Sequence, residues 1–462
     1  MRILIKNGFI VNESDIFLGD ILIEGEKIVS IGFINDEEAK VDEIIDVKGK
    51  YVMPGAIDVH THMELQQSEK FRSVDDFYTG TVAAAVGGTT TIIDHIGFGP
   101  KNCNLHYSIN EYYEKAKKAV IDYSFHGVIQ DVNDDILDEL KSIVREEGIP
   151  SFKAYSTYGF KVEDEGFMRV LEVMKENNGI LTVHAENDGL TNYLRDKFVE
   201  EGKTDPIYHA SSRPNETESE TVERLINISK MLGDAPLYIV HLSTKESLEA
   251  VKRAREEGLK NIYVETCTQY LTLTEEKYKE NGAIEGLKYL ISPPLRKQED
   301  ADALWKGIIE GDINVIATDH CPFMIEEKLN GKDDFRLAPG GAPGVEERVR
   351  IIFSEGVMKN RITPQKFVEV MCTNPAKIFG MYPKKGAILP GSDADLLIID
   401  SDKTEILRSE DMKSSCDYCT YEGLKVKGSI YMVFNRGNLI AKENEFLGTK
   451  GYGRFIPRKI NK

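Results

Sequence analysis

Two histidines separated by one residue follow an apolar stretch near residue 60. Residues 57–62 read IDVHTH, directly after the run YVMPGA. Because successive side chains of a β-strand point to opposite faces, His60 and His62 should project from the same face. Two imidazoles on one face can bind a metal ion, but a polar strand end packed into the protein would show the same pattern. The rest of the chain must distinguish these two interpretations.

Residues of the metal-binding types recur at the ends of later apolar runs. ILTVHAE contains His184, PLYIVHLS contains His241 and INVIATD ends in Asp319. Each could be an ordinary core residue, but their repeated position at strand ends favours metal binding. Imidazole and carboxylate ligands suit Zn better than Mn, Fe or Ni. With His60 and His62, the set is too large for one zinc with an open position and suits two ions roughly 3.5–4 Å apart.

Lys153 lies within another apolar run, SFKAYS. An ammonium group has no lone pair to offer a metal, and burying it without a partner is costly. The sequence leaves two interpretations open. Lys153 could pair with Asp319 or a neighbouring carboxylate, or its amine could react with CO2 and become a carbamate (N6-carboxylysine) that bridges the two ions.

Eight short runs rich in Val and Ile alternate along the chain with stretches of helical periodicity. The stretch 243–258, for example, opens with the capping box STKE, from Ser243 to Glu246, and ends in glycine. Repeated strand–helix units predict an α/β fold, a parallel (β/α)8 TIM barrel. The carboxyl ends of such strands meet at one mouth, which would bring the metal-binding residues together. The predicted strands are 51–60, 89–95, 122–129, 151–156, 180–186, 236–243, 261–267 and 313–319.

The two ends of the chain have a different pattern, with short alternating strands. RILIKNGFIVN and DILIEGEKIVSIG lie near the N-terminus, and KGAILPGSDADLLIID and GSIYMVFNRGNLIAKEN lie near the C-terminus. Pro-Gly and Asn-Arg-Gly turns separate the C-terminal strands. We therefore predict a small β-sandwich domain beside the barrel. Residues 1–52 and 386–462 would form the sandwich, and residues 53–385 the metal-dependent barrel.

The composition is that of an ordinary globular protein. Of 462 residues, 41% are hydrophobic and 29% are charged, and the formal net charge of −19 is spread along the chain. Nucleic acid is not an expected partner, because phosphate contacts need a basic patch. No apolar run approaches the roughly 20 residues that span a bilayer, and the N-terminus lacks a signal-peptide pattern. Because six cysteines in a chain of this length make no disulfide framework, we expect a cytoplasmic protein with no membrane partner.

Longer motifs occur along nearly the whole chain, including GAIDVHTHMEL, GGTTTIIDHIGFGP, SFKAYSTY, TVHAEND, LYIVHLS, ISPPLR and ATDHCPF. Together and in this order they resemble the hydantoinase/dihydropyrimidinase family of the amidohydrolase superfamily. The resemblance implies two divalent metal ions per subunit, with zinc expected. The implied ligands are His60, His62, carboxylated Lys153 and Asp319 for one ion, and Lys153, His184 and His241 for the other.

The resemblance also implies roles for residues around the ions. Tyr158, five residues after the lysine, would stabilise the oxyanion, and Asp319 would act as general base and then general acid. Ser292 in ISPPLR would bind the ring amide largely through backbone atoms. Gly340 takes the position of an asparagine in the family, and we expect its substrate contact to be mainly through the backbone. The sequence does not determine the conformation of this loop, because glycine admits φ values that other residues avoid.

On this resemblance we expect a hydrolase that opens the ring of 5-substituted hydantoins to N-carbamoyl amino acids. It would be D-selective and would accept aryl substituents. Leu65, Phe98, Tyr155 and Phe160 could wall the pocket for the substituent, although ordinary loop packing explains each of them equally well. The resemblance further implies a homo-oligomer, with a tetramer favoured.

The alternatives come from related proteins, of which dihydroorotases and allantoinases share the barrel and the metals. A dihydropyrimidinase, which opens dihydrouracil or dihydrothymine, differs mainly in the shape of its pocket. A dihydroorotase is disfavoured, because the arginine that it carries two residues after the second histidine is replaced here by Glu64. Non-catalytic scaffold relatives lose metal ligands, whereas this chain retains the whole implied set.

Overall fold

The computed structural model describes residues 1–280 and 283–460. It contains two β-sheets, one that forms a barrel and one built from both chain ends. The strands are β1 (Arg2–Val11), β2 (Ile16–Glu24), β3 (Lys27–Gly32), β4 (Glu43–Asp46), β5 (Tyr51–Pro54), β6 (Ala56–Thr61), β7 (Thr89–His95), β8 (Asp122–Val128), β9 (Ser151–Tyr155), β10 (Ile180–His184), β11 (Leu237–Ile239), β12 (Ile262–Cys267), β13 (Val315–Ala317), β14 (Leu396–Ile406), β15 (Lys425–Asn435), β16 (Asn438–Lys442) and β17 (Glu445–Phe446).

Helices of different lengths lie between consecutive barrel strands and after the last of them, and one short helix precedes the barrel. The α-helices are α1 (Asp36–Ala39), α2 (Thr79–Val86), α3 (Leu105–Ala116), α4 (Asp134–Glu146), α5 (Asp164–Glu176), α6 (Asp188–Glu200), α7 (Ile207–Ser211), α8 (Asn215–Met231), α9 (Lys245–Glu256), α10 (Thr268–Thr272), α11 (Ala283–Gly286), α12 (Gln298–Glu310), α13 (Ile325–Lys328), α14 (Arg348–Ile352), α15 (Pro364–Val368) and α16 (Asn374–Ile378). Short 3-10 turns are Glu275–Tyr278, Leu287–Tyr289, Leu329–Gly331, Phe335–Leu337 and Ser409–Asp411, and π-helical turns are Phe353–Met358 and Glu369–Thr373.

The barrel consists of the eight parallel strands β6 to β13, paired in chain order. Backbone hydrogen bonds join its first and last strands: the His62 amide donates to the His320 carbonyl at 2.9 Å, and the His320 amide donates to the His60 carbonyl at 3.3 Å. Apolar residues on the strands and on the helices around them share one large buried core. The predicted fold class, a TIM barrel with a small β-unit from both chain ends, is confirmed.

The first predicted strand, 51–60, is two strands in the structure. β5 belongs to the sheet of the chain ends, and β6 opens the barrel. The chain changes sheet at Gly55, where a Cβ atom would lie 2.1 Å from Thr90 Oγ1. Only glycine allows the backbone to pass this close to the start of β7. The apolar run 51–60 therefore spans two strands that belong to different sheets, and the sequence pattern does not reveal the change.

The chain ends form one nine-stranded mixed sheet instead of two separate sheets. Its order is β17-β16-β15-β14-β5-β1-β2-β3, with β4 paired to β1. Residues from both ends of the chain, such as Ile10, Ile23, Leu396 and Phe434, pack together in a second buried cluster, separate from the barrel core.

The domain boundaries after residues 52 and 385 remain predictions, and the first falls within β5.

Helix α9 begins one residue later than the predicted capping box. Its N-cap is Thr244, whose side chain accepts a hydrogen bond from the Ser247 amide. The predicted cap, Ser243, instead donates its hydroxyl hydrogen bond to the buried Glu218. The prediction of a Ser243–Glu246 box was therefore wrong, because the Ser243 hydroxyl donates to Glu218 and does not cap the helix.

Over the residues that the structure describes, no helix is long and apolar enough to cross a membrane.

A buried lysine joins the barrel to the sheet of the chain ends. Lys385 Nζ lies 2.5 Å from Asp122 Oδ2 at the start of β8 and 2.7 Å from Asp395 Oδ2 just before β14. A third carboxylate, that of Asp393, lies 3.1 Å away. Burial alone would lower the pKa of Lys385, but the three aspartates outweigh it and raise that pKa. The ammonium is therefore charged throughout the physiological range.

Replacing Lys385 by methionine would leave the buried Asp395 without an ion-pair partner among the described residues, whereas Asp122 would keep Arg436 and Asp393 would keep Lys27. We expect Lys385→Met to lower the free energy of unfolding by about 3–5 kcal/mol, as measured by urea denaturation. Lys384→Met is the matched control, because the neighbouring Lys384 is exposed, and surface substitutions change stability by less than about 0.5 kcal/mol. Equal stability of the two variants would show that the buried cluster does not join the two parts of the chain.

Candidate metal centre and active site

A cavity of about 730 Å³ opens at the carboxyl ends of the barrel strands. Barrel geometry explains this position, because His60 lies on β6, Lys153 lies on β9, and His184 ends β10. Every residue to which the sequence assigned a site role lines this one cavity. These residues are His60, His62, Lys153, Tyr158, His184, His241, Ser292, Asp319 and Gly340.

Two imidazoles converge on the carboxylate of Asp319. The Nε2 atoms of His60 and His62 each lie 3.1 Å from Asp319 Oδ1. Ligand atoms of His60, His241 and Asp319 all lie within 4.8 Å of one another. Burial would raise the pKa of Asp319, but the two histidines outweigh it and hold that pKa well below its usual range. Asp319 is therefore an anion at neutral pH.

The second pair of predicted ligands is also in contact. His241 Nε2 lies 2.9 Å from His184 Nδ1. Burial lowers the pKa of both residues, in His241 well below the usual value. Both imidazoles are therefore neutral at physiological pH, which is the form that binds metals.

Lys153 is 1% exposed and lies in the same cavity. Its Nζ atom lies 5.2 Å from the centroid of the Tyr155 ring. Burial lowers its pKa to about 8, against the opposing effect of Asp319 and Glu265. Within the described part of the chain its ammonium forms no hydrogen bond and no ion pair. The pairing with Asp319 that the sequence left open is therefore not formed.

Two carboxylates that the sequence analysis did not single out hold the imidazoles from behind. Glu265 Oε1 lies 2.6 Å from His60 Nδ1, and its other oxygen accepts a hydrogen bond from the Tyr238 hydroxyl at 3.0 Å. Glu186 Oε2 lies 2.8 Å from His184 Nε2. Carboxylates in this position fix the orientation of a metal-binding histidine. A glutamate within the apolar run NIYVETC was the available signal for Glu265.

The donor set fits a bound cation. His60 donates from Nδ1 to Glu265, which leaves Nε2 with a lone pair 3.1 Å from an oxygen of the Asp319 carboxylate. Among the described residues, His60 Nε2 has no hydrogen-bond partner although it is buried. Burial lowers the pKa of His60, but Glu265 and Asp319 outweigh it and raise that pKa to about 8. Two facing acceptors need a proton or a metal ion between them, so the site favours positive charge.

Further histidines lie behind the site instead of lining it. The His95 ring is buried, with its centroid 4.2 Å from those of both His60 and His126. His320 follows Asp319 and lies with Nε2 3.1 Å from the Asp75 carboxylate. Its Nδ1 accepts a hydrogen bond from the Gly344 amide at 3.2 Å. These contacts fix the backbone next to Asp319.

Tyr158 and Ser292 lie at the mouth of the cavity. The Tyr158 ring centroid is 5.2 Å from that of His184, and the residue is 42% exposed. Desolvation of its hydroxyl within the site raises the pKa of Tyr158 to about 12, and a hydrogen bond with the Ser292 side chain partly offsets this rise. The hydroxyl is therefore protonated at neutral pH and can donate a hydrogen bond.

The loop at Gly340 does not require glycine at that position. A Cβ atom added to Gly340 would meet nothing within 4 Å, and its φ lies outside the left-handed region. The next residue is different: Gly341 has φ +143°, and its Cβ would lie 2.2 Å from the Cys321 carbonyl oxygen. The backbone at Gly340 therefore has a conformation that residues with a Cβ atom can adopt, and space for that atom.

Aromatic side chains form one wall of the cavity. The Phe98 ring centroid lies 4.6 Å from that of Phe160 and 5.3 Å from that of Tyr155. Leu65 lines the same cavity. The four residues named from the sequence as candidates for a substituent pocket therefore do border the site.

Comparisons with known proteins agree with this architecture. Residues 51–440 match the family model described as "Amidohydrolase family". The chain belongs to the amidohydrolase family. It is 46% identical over 461 residues to D-phenylhydantoinase of Escherichia coli K12 / DH10B, covering 99% of this chain and 98% of that one. The family predicted from the motifs is thereby confirmed.

Solved structures of relatives have the same fold over the whole chain. A dihydropyrimidinase from Brevibacillus agri superposes with a TM-score of 0.96 at 40% identity, covering 100% of both chains. A D-hydantoinase from Bacillus sp. AR9 superposes with a TM-score of 0.95, also at 40% identity and covering 100% of both chains. The barrel and the sheet of the chain ends are therefore shared with these relatives.

Glu265 provides a test of the metal centre. We expect Glu265→Gln to weaken zinc binding about 10- to 100-fold, because the amide orients His60 less well than the carboxylate and removes a negative charge. The measurement is zinc competition with a chromophoric chelator. Tyr238→Phe removes only the hydroxyl that donates to Glu265 Oε2, keeps the contact between Glu265 and His60, and should weaken zinc binding less. Unchanged zinc affinity in Glu265→Gln would show that this carboxylate does not support a metal ligand.

Proposed function

We propose that this amidohydrolase opens the ring of 5-substituted hydantoins, giving N-carbamoyl amino acids, with D selectivity and acceptance of aryl substituents. The observation that carries the proposal is the convergence of His60, His241 and Asp319, with ligand atoms within 4.8 Å of one another, in the cavity that Tyr158 and Ser292 also line. The 46% identity to a D-phenylhydantoinase supports the choice of substrate.

The proposed site would hold two zinc ions. His60, His62 and Asp319 would bind one ion, His184 and His241 the other, and carboxylated Lys153 both. Zinc, when bound, lowers the pKa of water to about 7 and so supplies hydroxide at neutral pH. The Lys153 modification would form a bond between Nζ and the carbon of CO2, and the ammonium would lose two protons in becoming the carbamate anion. It would replace a buried ammonium that has no ion pair in the described residues with an anion suited to the two cations.

The chain's own residues would then handle the substrate. The backbone at Ser292 and Gly340 binds the ring amide and orients its carbonyl group. The Tyr158 hydroxyl, which is protonated at neutral pH, donates a hydrogen bond to the oxygen that becomes negative as the carbonyl carbon turns tetrahedral. Asp319 would accept the remaining proton of the attacking hydroxide and deliver it to the departing ring nitrogen as the C–N bond breaks.

The substituent at C5 would lie against the aromatic wall. The Phe98 ring centroid lies 4.6 Å from that of Phe160 and 5.3 Å from that of Tyr155, and Leu65 lines the same cavity. Aromatic rings at such distances stack favourably with a further aryl group. This wall supports aryl acceptance.

A dihydropyrimidinase is the second candidate. It is favoured by the similarity to the Brevibacillus agri enzyme over 100% of both chains.

On the resemblance alone we also propose a cytoplasmic homotetramer, and light scattering of the purified protein would test the tetramer.

The zinc-loaded protein should open racemic 5-phenylhydantoin faster than dihydrouracil and should release the D product. Ring opening is followed by absorbance and product chirality by chromatography. A preference for dihydrouracil would favour the second candidate. Bound zinc without opening of either ring would contradict the proposed substrate class.

Tyr158→Phe removes one donor to the oxyanion. We expect kcat to fall about 10²–10³-fold, with two zinc ions still bound by elemental analysis. Tyr193→Phe is the control, because Tyr193 is 65% exposed on α6. A near-normal kcat in Tyr158→Phe would remove this residue from the mechanism.

A further inference from the structure

Lys328, the last residue of α13, is fully buried beside the candidate site. Its exposed fraction is 0%. Among the described residues no carboxylate forms an ion pair with it. The adjacent Glu327 uses its carboxylate to accept a hydrogen bond from the Met324 amide at 2.8 Å. Lys328 therefore differs from Lys385, whose buried charge is balanced by aspartates.

Three backbone carbonyls surround the Lys328 ammonium. Nζ donates to the oxygen of Leu290 at 2.9 Å, to that of Pro339 at 2.8 Å and to that of Gly341 at 2.5 Å. A tetrahedral ammonium has three N–H groups, so its donors are fully used. The two chain segments that it joins also share a direct bond, from the Gly341 amide to the Leu290 carbonyl at 2.9 Å.

These two segments carry the backbone atoms proposed to bind the ring. Leu290 lies two residues before Ser292, and Gly340 lies between the two carbonyls of Pro339 and Gly341. Both Ser292 and Gly340 line the cavity, whereas Lys328 itself does not. Lys328 thus holds the substrate-binding backbone from behind.

Packing alone would favour an apolar side chain at position 328. Desolvation lowers its pKa to about 7, against opposing effects of the Cys321 and Cys416 thiols and of Glu327. A methionine would fill much of the same volume without a buried charge. Only an ammonium, however, satisfies three converging carbonyl oxygens with charge-assisted hydrogen bonds.

We infer that Lys328 is a positioning residue that sets the spacing between the Ser292 and Gly340 segments and so determines how tightly the substrate ring is bound. This inference rests on the proposed function for its catalytic consequence. We call the hydrogen bonds from Lys328 to Leu290, Pro339 and Gly341 the clamp. Its effect on the mobility of the two segments can be measured without any substrate.

The test compares Lys328→Met with Lys332→Met, which alters an exposed lysine four residues later. For Lys328→Met we expect KM for the cyclic amide to rise about 10- to 100-fold, since hydrogen bonds to charged groups are lost. We expect kcat to change less than about threefold, because the zinc ligands and Tyr158 are unaltered. Zinc content should stay at the wild-type value. Lys332→Met should match the wild type in all three measurements.

Amide hydrogen exchange provides the second readout. Peptides containing residues 289–293 and 339–342 should exchange at least about tenfold faster in folded Lys328→Met, and peptides from the barrel strands should not. If Lys328→Met fails to fold, Lys328→Gln, which keeps one donor group, replaces it in both measurements.

Three outcomes separate the possibilities. Faster exchange with a raised KM supports the inference. Wild-type exchange and KM in a folded variant overturn it, as does a loss confined to kcat or to bound zinc. If the wild-type protein opens no cyclic amide, the proposed function fails, and the exchange measurement by itself supports or overturns the clamp.

Discussion

Two backbone hydrogen bonds that close the barrel are the constraint on which the site depends. They join His60 on the first barrel strand, and His62 just after that strand, to His320 after the last one. Through them, His60 and His62 reach Asp319, which lies more than 250 positions later in the chain. The remaining candidate ligands lie on or just after strands between these two, so the closed ring of strands brings histidines that are far apart in the chain into one cluster. The sheet of the chain ends packs outside this ring.

Charged and ionisable side chains are buried together at the mouth of the barrel. Buried anionic carboxylates face buried imidazoles, and this arrangement favours a cation in their midst. The backbone is also strained there, since Tyr158, His241 and Asp319 have φ values of +72°, +40° and +57°. Non-glycine residues in this region cost roughly 1–3 kcal/mol each and are found where function constrains the backbone. Packing from the surrounding barrel supplies the stability that holds these three residues in place.

Three buried lysines show how the same side chain serves different purposes. Lys385 is balanced by three aspartates, which raise its pKa and bind the barrel to the other sheet. Lys328 is satisfied by three backbone carbonyls, and its pKa falls to about 7. Lys153 has neither kind of partner within the described residues, and its pKa falls to about 8. The surroundings of each lysine, which are set by the fold, determine whether it stabilises the core, holds a loop or is available for chemistry.

The sequence by itself determined the barrel, the approximate positions of its strands and the set of candidate ligands, although it did not show the change of sheet at Gly55. Strand periodicity places His60 and His62 on one face, and parallel strands bring their carboxyl ends together. Partners of buried groups could not be read in this way. Glu265 behind His60 and the carbonyls around Lys328 were decided only by the tertiary structure. The physical reason is that a buried polar group is satisfied by whichever atoms lie next to it in space, and those atoms come from segments far apart in the chain.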